Sequence, residues 1–144
     1  MKILFYDVAT PHPYTDQTRL ETGLGGTEST ITHIAHALAA LGHTVTIAQH
    51  CRKPSANTQS NNVQYLALKS ASTLQPDAVI LLRNRHWLEK VTAHFPRARH
   101  FFWIHNMPSR NLYHSRSILL KSGCQIIAVS TFHQMQISKR LHGK

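Results

Sequence analysis

Short apolar runs alternate with amphipathic stretches along most of the chain. Apolar runs rich in strand-forming residues lie at 3–8, 43–48, 63–68, 78–82, 100–104 and 125–129. Helical periodicity lies at 28–41, 86–95, 112–121 and 131–141, with at most a short helix or turn at 71–75. Residues 52–62 are polar and predict a loop. Strands that alternate with helices in this way predict an α/β fold with a doubly wound parallel sheet of about six strands.

The order of the strands follows from which run is most apolar and from the handedness of crossovers. Residues 78–82 are continuously apolar, which is typical of a parallel strand covered on both faces and therefore central. The first strand, helix and second strand form a βαβ unit whose crossover is right-handed. We therefore predict a Rossmann-like sheet in the order 3-2-1-4-5-6, with residues 1–144 forming one domain.

A glycine-rich turn precedes the first long helix. The sequence from Gly23 to Glu28 is Gly-Leu-Gly-Gly-Thr-Glu, and a connection without periodicity, beginning at Ala9, leads up to it. Loops of that length are usually functional or disordered, and glycine serves where φ is positive or where another group approaches closely. With Thr27 as the helix N-cap and Glu28 in the first turn, the turn predicts an anion site; a tight turn with no ligand is the alternative.

Two better-known phosphate-binding motifs do not fit this turn. A dinucleotide fingerprint needs a third glycine where Glu28 stands, and an acidic residue where the second strand is followed by Gln49 and His50. A P-loop needs a Gly-Lys-Ser/Thr sequence, which does not follow the turn. Hydride transfer and P-loop hydrolysis are therefore disfavoured.

Polar residues follow several strands at the edge where ligands bind in open parallel sheets. Residues 83–85 (Arg-Asn-Arg) follow the fourth strand, residues 105–108 follow the fifth, and Ser130 follows the sixth. Arg83 comes directly after its strand and is the candidate for binding an anionic acceptor, whereas Arg85 is expected on a solvated face. Ser130 is expected first as a helix N-cap.

The charge balance favours anionic partners. Sixteen Lys and Arg residues against six Asp and Glu residues give a net charge of +10, which suits nucleotides, phosphorylated substrates, nucleic acid or an anionic membrane surface. Nucleic acid is disfavoured because no helix-turn-helix, RNA-recognition or zinc-finger signature is present. The six acidic residues are scattered along the sequence, so a catalytic pair of carboxylates is not expected.

Metal and membrane chemistry have little support in the sequence. His33 and His36 lie one turn apart, but no third ligand accompanies them, so we expect solvated helix histidines and no metal. Cys51 and Cys124 fit no disulfide framework, which favours a reducing cytoplasm. No apolar run approaches the ~20 residues of a membrane span, so any membrane contact is expected to be peripheral.

Several of these segments together resemble the N-terminal domain of GT-B glycosyltransferases of family four, the retaining, glycogen-synthase-like group. The resemblance covers nearly the whole chain. It is carried by Gly25-Gly26-Thr27-Glu28, by the helix and strand phrase at 34–45, by Trp103-Ile104-His105-Asn106, and by Ile127-Ala128-Val129-Ser130. The glycine turn and the Leu41-Gly42-His43 helix end are its more specific parts.

The resemblance implies sugar transfer from a nucleotide sugar, without a cofactor, with this domain lining the cleft mainly on the acceptor side. It implies that His105 reaches the reacting sugar and that the N–H groups of Gly25 and Gly26 approach the donor diphosphate. His105 as a mere cap of its strand is the alternative. Asn106 stands where relatives often have Asp. With the residues at the strand ends, the expected donor and acceptor site comprises Gly25, Gly26, Thr27, Glu28, Arg83, Asn106 and Ser130.

The same resemblance implies that the C-terminal, donor-binding domain is absent from these 144 residues, so we expect no useful transfer by the chain alone. The alternative function is a noncatalytic module that binds a nucleotide or a phosphosugar.

Overall fold

The computed structural model describes residues 1–108 and 110–142. Within them, helices flank one sheet on both faces. The strands are β1 (Lys2–Asp7), β2 (Thr44–Gln49), β3 (Thr58–Ser60), β4 (Val63–Ala67), β5 (Ala78–Leu82), β6 (Arg99–Ile104) and β7 (Gln125–Ala128). The α-helices are α1 (Asp16–Thr22), α2 (Gly26–Ala40), α3 (Leu68–Ala71), α4 (Leu88–His94), α5 (Arg116–Ser122) and α6 (Thr131–Leu141). Short 3₁₀ turns occupy Pro54–Ala56, Arg85–Trp87 and Arg110–Ser115.

The sheet is mostly parallel and has the order β3-β4-β2-β1-β5-β6-β7. The predicted six-strand order 3-2-1-4-5-6 is corrected by this finding, because an additional strand, β3, forms one edge and runs antiparallel to β4. Strands β4, β2, β1, β5, β6 and β7 are parallel neighbours in that sequence. β5 therefore lies inside the sheet, as its apolar sequence predicts.

The missed strand lies in the segment that we expected to be a loop. β3 has the sequence Thr-Gln-Ser, which is too short and too polar to show a strand period. Asn61 and Asn62 join it to β4, and both have positive φ, 45° and 65°. Two such residues form the tight turn that suits a hairpin, and asparagine tolerates the conformation better than most residues.

The connection after β1 also differs from its prediction. It contains α1, whose N-cap is Thr15; the Thr15 hydroxyl accepts from the Thr18 backbone, and the Thr18 hydroxyl accepts from the Thr15 backbone. This capping box starts a helix that no apolar stripe announces, since Leu20 is 70% exposed. Helix α1 is therefore specified by hydrogen bonds at its N-terminus and not by an apolar face, and hydrophobic periodicity does not detect such a helix.

Helix α2 begins two residues earlier than predicted, with Gly25 rather than Thr27 as the N-cap. Its buried residues are Ile31, Thr32 and Ala35, whereas Ile34 and Leu41, which contribute to the apolar periodicity at 28–41, are 36% and 75% exposed. The earlier start gives the first turn the sequence Gly-Thr-Glu, and that places Glu28 at the third helical position.

The core consists of two apolar clusters on opposite faces of the sheet. Leu4 and Tyr6 of β1 belong to one cluster, and Ile3 and Phe5 belong to the other, as alternation along a strand requires. Helix α2 packs in the second cluster through Ile31 and Ala35, and helices α4, α5 and α6 contribute to the first. The described residues contain no helix that is long and apolar enough to cross a bilayer.

Candidate functional site

The register of the central strands sets the position of the site. Asp7, the last residue of β1, pairs with Leu82 of β5, and Leu82 pairs with Trp103 of β6. The residues that follow these three strands therefore leave the sheet at the same edge and lie side by side across the strands. Arg83 follows Leu82 directly, and His105 follows Trp103 by two residues. The parallel register thus places Asp7, Arg83 and His105 at the same edge although they are far apart in sequence.

Arg83 connects two carboxylates at this edge. Its Nη2 donates to Glu28 Oε1 at 2.5 Å, and its Nε lies 3.2 Å from Asp7 Oδ1, without the alignment of a hydrogen bond. Asp7 is fully buried, and its other oxygen accepts from the hydroxyl of the buried Tyr14 at 3.1 Å. Although the acidic residues are scattered along the sequence, the fold brings Asp7 and Glu28 onto one guanidinium, and the prediction that they form no catalytic pair stays a prediction.

The backbone at Arg83 has an unusual conformation. Its φ is +70°, and the Asn84 N–H donates to the Leu82 carbonyl at 2.8 Å. A hydrogen bond across one residue with a positive central φ is a γ-turn of the rare, strained kind. A residue with a long side chain in this region costs about 1–3 kcal/mol, and such strain is commonly found at functional sites. The turn directs the Arg83 side chain back across the end of β1 toward α2.

The Glu28 carboxylate lies against the glycine turn. A Cβ atom placed on Gly25 would meet Glu28 Oε2 at 2.5 Å, so this side-chain position requires glycine at residue 25. Glu28 also accepts from its own backbone N–H, at the positive end of the α2 dipole. The N-terminus of α2, which the sequence predicts as a site for a ligand anion, thus holds the protein's own carboxylate in this structure.

The two other glycine predictions are answered differently. Gly26 has an ordinary helical conformation with no protein atom within 4 Å of an added Cβ, so neither its φ nor the protein around it requires glycine, and the predicted approach of a ligand to its N–H stays a prediction. Positive φ occurs instead at Gly23, where φ is +76°.

The His105 ring lies beside this cluster on an aromatic support. It stacks on Trp103 with ring centroids 4.3 Å apart, and its Nε2 is buried without a hydrogen-bond partner. Burial, with a smaller contribution from the nearby Arg83, lowers the pKa of His105 to about 4, and Glu28 acts in the opposite direction. The ring is therefore neutral at neutral pH. Because Nε2 is covered, a substrate would meet Nδ1 or require the ring to turn.

The acidic partners of Arg83 differ in their own ionisation. Burial raises the pKa of Asp7, and Arg83 offsets part of that effect. Burial also acts to raise the pKa of Glu28, but its backbone N–H and Arg83 outweigh that and hold the pKa below its ordinary value. The pKa of Arg83 is raised because its two carboxylates outweigh its burial. Glu28 is consequently the firmly ionised acid at the surface of the cluster.

A groove of about 400 Å³ opens beside Glu28, between the connection after β1 and the glycine turn. Its lining consists of residues from Thr10 to Tyr14, Thr18, residues from Thr22 to Gly25, and Glu28. The wall is well anchored, because the Tyr14 backbone is held by Gln49 and by the buried Arg52. The groove therefore has hydroxyl, imidazole and carboxylate groups on a fixed frame.

The structure gathers some of the predicted site residues and separates others. Gly25, Glu28, Arg83 and His105 lie together, whereas Ser130 lines a different groove between β7 and α6. Ser130 is the N-cap of α6, as predicted, and accepts from the His133 N–H at 3.1 Å. The Asn106 side chain is exposed, and the contact of this residue is made by its backbone carbonyl oxygen, which lies 2.9 Å from His133 Nε2.

Three residues have surroundings that differ from those predicted. Thr27 is half-buried in the first turn of α2 and is not its N-cap. Arg85 is only partly exposed, since its Nε donates to the Ser115 hydroxyl. The Arg83 charge is already matched by two carboxylates, which weakens the prediction that Arg83 binds an anionic acceptor.

Sequence reasoning missed Asp7, Tyr14 and His133. Asp7 had a usable signal, because it is a charged residue that ends an apolar strand at the edge where ligands bind. Tyr14 is an aromatic residue in a polar connection, and its complete burial marks it as the anchor of that segment. His133 follows Ser130 by three residues, a spacing that reveals only a helix start.

The described residues contain no group of three or more His, Cys, Asp or Glu side chains suited to a metal ion. His36 is not a solvated helix histidine as expected, since its Nε2 lies 3.1 Å from the Tyr65 hydroxyl and 3.7 Å from Asp16 Oδ2. Comparisons with protein-family models, curated proteins and solved structures found no match.

Proposed function

We propose that this chain is the N-terminal, Rossmann-like half of a GT-B glycosyltransferase, which moves a sugar from a nucleotide sugar to an acceptor held mainly by this domain. The observation that carries the proposal is the cluster of Glu28, Arg83, Asp7 and neutral His105 at the edge of the sheet, beside the groove at the glycine turn. Open parallel sheets bind their ligands at this edge.

The chemistry of the cluster suits a neutral, hydroxyl-rich acceptor. Ionised carboxylates accept hydrogen bonds from hydroxyl groups, and Glu28 presents one at the groove. Arg83 holds that carboxylate in place, and the positive charge of Arg83 is balanced by Glu28 and Asp7 rather than by a ligand. A neutral imidazole can accept a hydrogen bond or a proton from a hydroxyl group, which an imidazolium cannot. We therefore favour an uncharged sugar or polyol over the anionic acceptor that the basic composition suggests.

The nucleotide-sugar donor would approach from the other side of the cleft. Its diphosphate would meet the Glu28 carboxylate at the N-terminus of α2, and like charges in contact are unfavourable. The Glu28 carboxylate lies against Gly25 and accepts from its own N–H, so a phosphate that binds this helix end would come into contact with it. In this proposal, groups of a second, facing domain balance the donor charge, and residues 1–144 alone do not transfer sugar. Holding both substrates in reacting geometry can contribute about 7–11 kcal/mol, and one wall of a cleft does not supply it.

Binding measurements on the purified chain test the acceptor side. We would titrate ¹⁵N-labelled protein with neutral glycosides, glucose 1-phosphate, inorganic phosphate and UDP, and follow the amide and imidazole signals by NMR. The proposal expects neutral glycosides to shift signals of Gly25, Glu28 and His105, and Glu28→Gln to weaken that binding at least tenfold. The matched control is Glu89→Gln, since Glu89 is an exposed acid in the first turn of α4.

The same titration separates the alternatives. Shifts with UDP or glucose 1-phosphate and none with neutral glycosides would replace the acceptor proposal with a noncatalytic nucleotide- or phosphosugar-binding module. A transfer assay with nucleotide sugars, run with and without an added donor-binding domain of a GT-B enzyme, tests whether a second, facing domain is needed for turnover. Robust turnover by the chain alone contradicts the two-domain proposal.

A further inference from the structure

The His133 side chain connects α6 to the loop that carries His105. It lies in the first turn of α6 and is only 2% exposed. Its Nδ1 accepts from the Val129 N–H at 3.3 Å, and its Nε2 lies 2.9 Å from the Asn106 carbonyl oxygen. The ring therefore joins the end of β7 to the segment after β6. Asn106 is the residue next to His105.

The two contacts define the protonation of the ring. Nδ1 accepts from a backbone N–H, so it carries no proton, and Nε2 must then carry the proton that is donated to the Asn106 carbonyl. A neutral imidazole in this tautomer satisfies both backbone groups at once. Removing the side chain leaves a partly buried N–H and a partly buried carbonyl without this partner, which costs less than the ~1–3 kcal/mol of a fully buried group because water can reach them.

The cap of α6 does not depend on this ring. The first turn is capped by Ser130, whose hydroxyl accepts from the His133 backbone N–H. The hydrogen bond from the Val129 N–H to the ring is also local, because Val129 and His133 are only four residues apart. The Asn106 contact is different, because it reaches 27 residues back along the chain to a separate strand end. That contact fixes the backbone beside His105, while Trp103 supports the His105 ring by stacking.

We propose that His133 is a positioning residue for the site: its hydrogen bond to the Asn106 carbonyl sets the place of the His105 imidazole at the edge of the sheet. The importance of His105 to sugar transfer rests on the proposed function. The positioning itself does not, and it can be measured on the free protein.

Two isosteric substitutions separate the two hydrogen bonds. The Oδ1 of asparagine can take the place of Nδ1 and accept from the Val129 N–H, but asparagine does not reach Asn106. The Nε2 of glutamine can take the place of the imidazole Nε2 and donate to the Asn106 carbonyl, but glutamine does not offer the acceptor to Val129. His133→Asn therefore removes the long-range contact, and His133→Gln keeps it. Both variants lack the imidazole, so its own effect on the pKa of His105 is absent from both, and the comparison between them isolates the two hydrogen bonds.

The readout is the pH titration of the His105 ring signals by NMR. The charged or titratable groups that act on this ring are Arg83 after β5, Glu28 of α2 and His133 of α6. Wild-type His105 should titrate with a pKa of about 4. In His133→Asn the loop loosens and water reaches the ring, so the pKa should rise by ~1 unit toward its ordinary value. In His133→Gln, which also lacks the imidazole but keeps the contact with Asn106, the pKa should rise clearly less than in His133→Asn.

Equal His105 titrations in the two variants would overturn the proposal, because the Asn106 contact would then have no separate effect. A wild-type measurement remains decisive if His133→Asn does not fold. His133 should show the Nε2–H tautomer and a through-hydrogen-bond coupling to the Asn106 carbonyl, and the Nδ1–H tautomer would contradict the proposal. If His105 responds as expected while no glycoside binds, the positioning stands and the proposed function fails.

Discussion

Glu28 and Arg83 are 55 residues apart in the sequence and form a side-chain ion pair of 2.5 Å between the first turn of α2 and the end of β5. The pair spans the edge of the sheet at the point where β1 ends. Asp7, the last residue of β1, is the second carboxylate in contact with Arg83. Because Gly25 has no side chain, the carboxylate also fits against the turn. One arginine thus fixes the position of the glycine turn relative to the strands.

The substitution Glu28→Gln should destabilise the fold and leave its architecture intact. It removes a charged partner from Arg83 and a negative charge from the N-terminus of α2, so we expect a loss of about 1–2 kcal/mol in the free energy of unfolding. Urea titration at neutral pH measures the loss. Glu89→Gln, with its acid exposed in the first turn of α4, should cost less than about 0.5 kcal/mol. Equal losses in the two variants would mean that the contact with Arg83 has no stabilising effect.

The adjacent glycines of the turn should respond differently to alanine. In Gly25→Ala the new Cβ meets the end of the Glu28 side chain, which must shift to make room and so disturbs its contact with Arg83. We expect a loss of up to about 1 kcal/mol. In Gly26→Ala the Cβ meets nothing, and alanine has the better helix propensity, so the protein should be unchanged or more stable by up to about 1 kcal/mol. Thermal unfolding of both proteins tests this, and a greater loss at residue 26 contradicts the role of Gly25.

Much of the fold could be predicted from the sequence because long-range packing and local pattern agree there. The six apolar runs correspond to strands β1, β2, β4, β5, β6 and β7, and α6 begins and ends where its pattern predicts. The elements that could not be predicted have little apolar content. β3 is held by hydrogen bonds to β4 and by an Asn-Asn turn, and α1 starts at a capping box, so hydrophobic periodicity carries no information about either.

The site could be predicted only to the level of strand ends. The rule that ligands bind at the carboxyl edge of the sheet leads to Arg83 and His105, because both directly follow strands. It does not reveal that Arg83 turns back onto Asp7 and Glu28, since that depends on a positive φ at a residue with no sequence preference for it. Nor does it reveal that the Glu28 carboxylate packs against Gly25, because that contact depends on a side-chain position rather than on a backbone angle.

The stability of the protein should fall in weak acid through His105. Its folded pKa of about 4 lies below the ordinary value of 6.5, so the unfolded chain binds the proton first as the pH falls. The stabilising contribution is present above pH 6.5 and is lost between pH 6.5 and 4. The shift corresponds to at most about 3 kcal/mol, and solvent screening at a half-buried ring reduces it.

The variant His105→Gln should therefore lose less stability than wild type between pH 7 and pH 4.5. Urea unfolding at both pH values gives the change in the free energy of unfolding for each protein. Subtracting the change in His105→Gln from the change in wild type cancels the contributions of the other histidines. The exposed His12 provides the matched control, and His12→Gln should keep the wild-type pH dependence. If wild type and His105→Gln lose the same stability over this interval, the His105 ring is not held neutral by its surroundings.

Backbone strain at Arg83 can be separated from the ion pairs by comparing glycine with alanine at that position. Both substitutions remove the guanidinium and leave the buried Asp7 with the Tyr14 hydroxyl as its side-chain donor, so both should destabilise the protein. Only alanine keeps a Cβ at a φ of +70°, whereas glycine adopts that angle without steric cost. In an ordinary strand end glycine would be the less stable choice, by about 0.5–1 kcal/mol. Here we expect Arg83→Gly to be more stable than Arg83→Ala by about 1 kcal/mol, measured from urea titrations of the two variants. At Arg85, where φ is not positive, the same pair should show the opposite order. If alanine is the better residue at 83 as well as at 85, the γ-turn after β5 holds no strain, and the orientation of Arg83 is then due to its carboxylate partners alone.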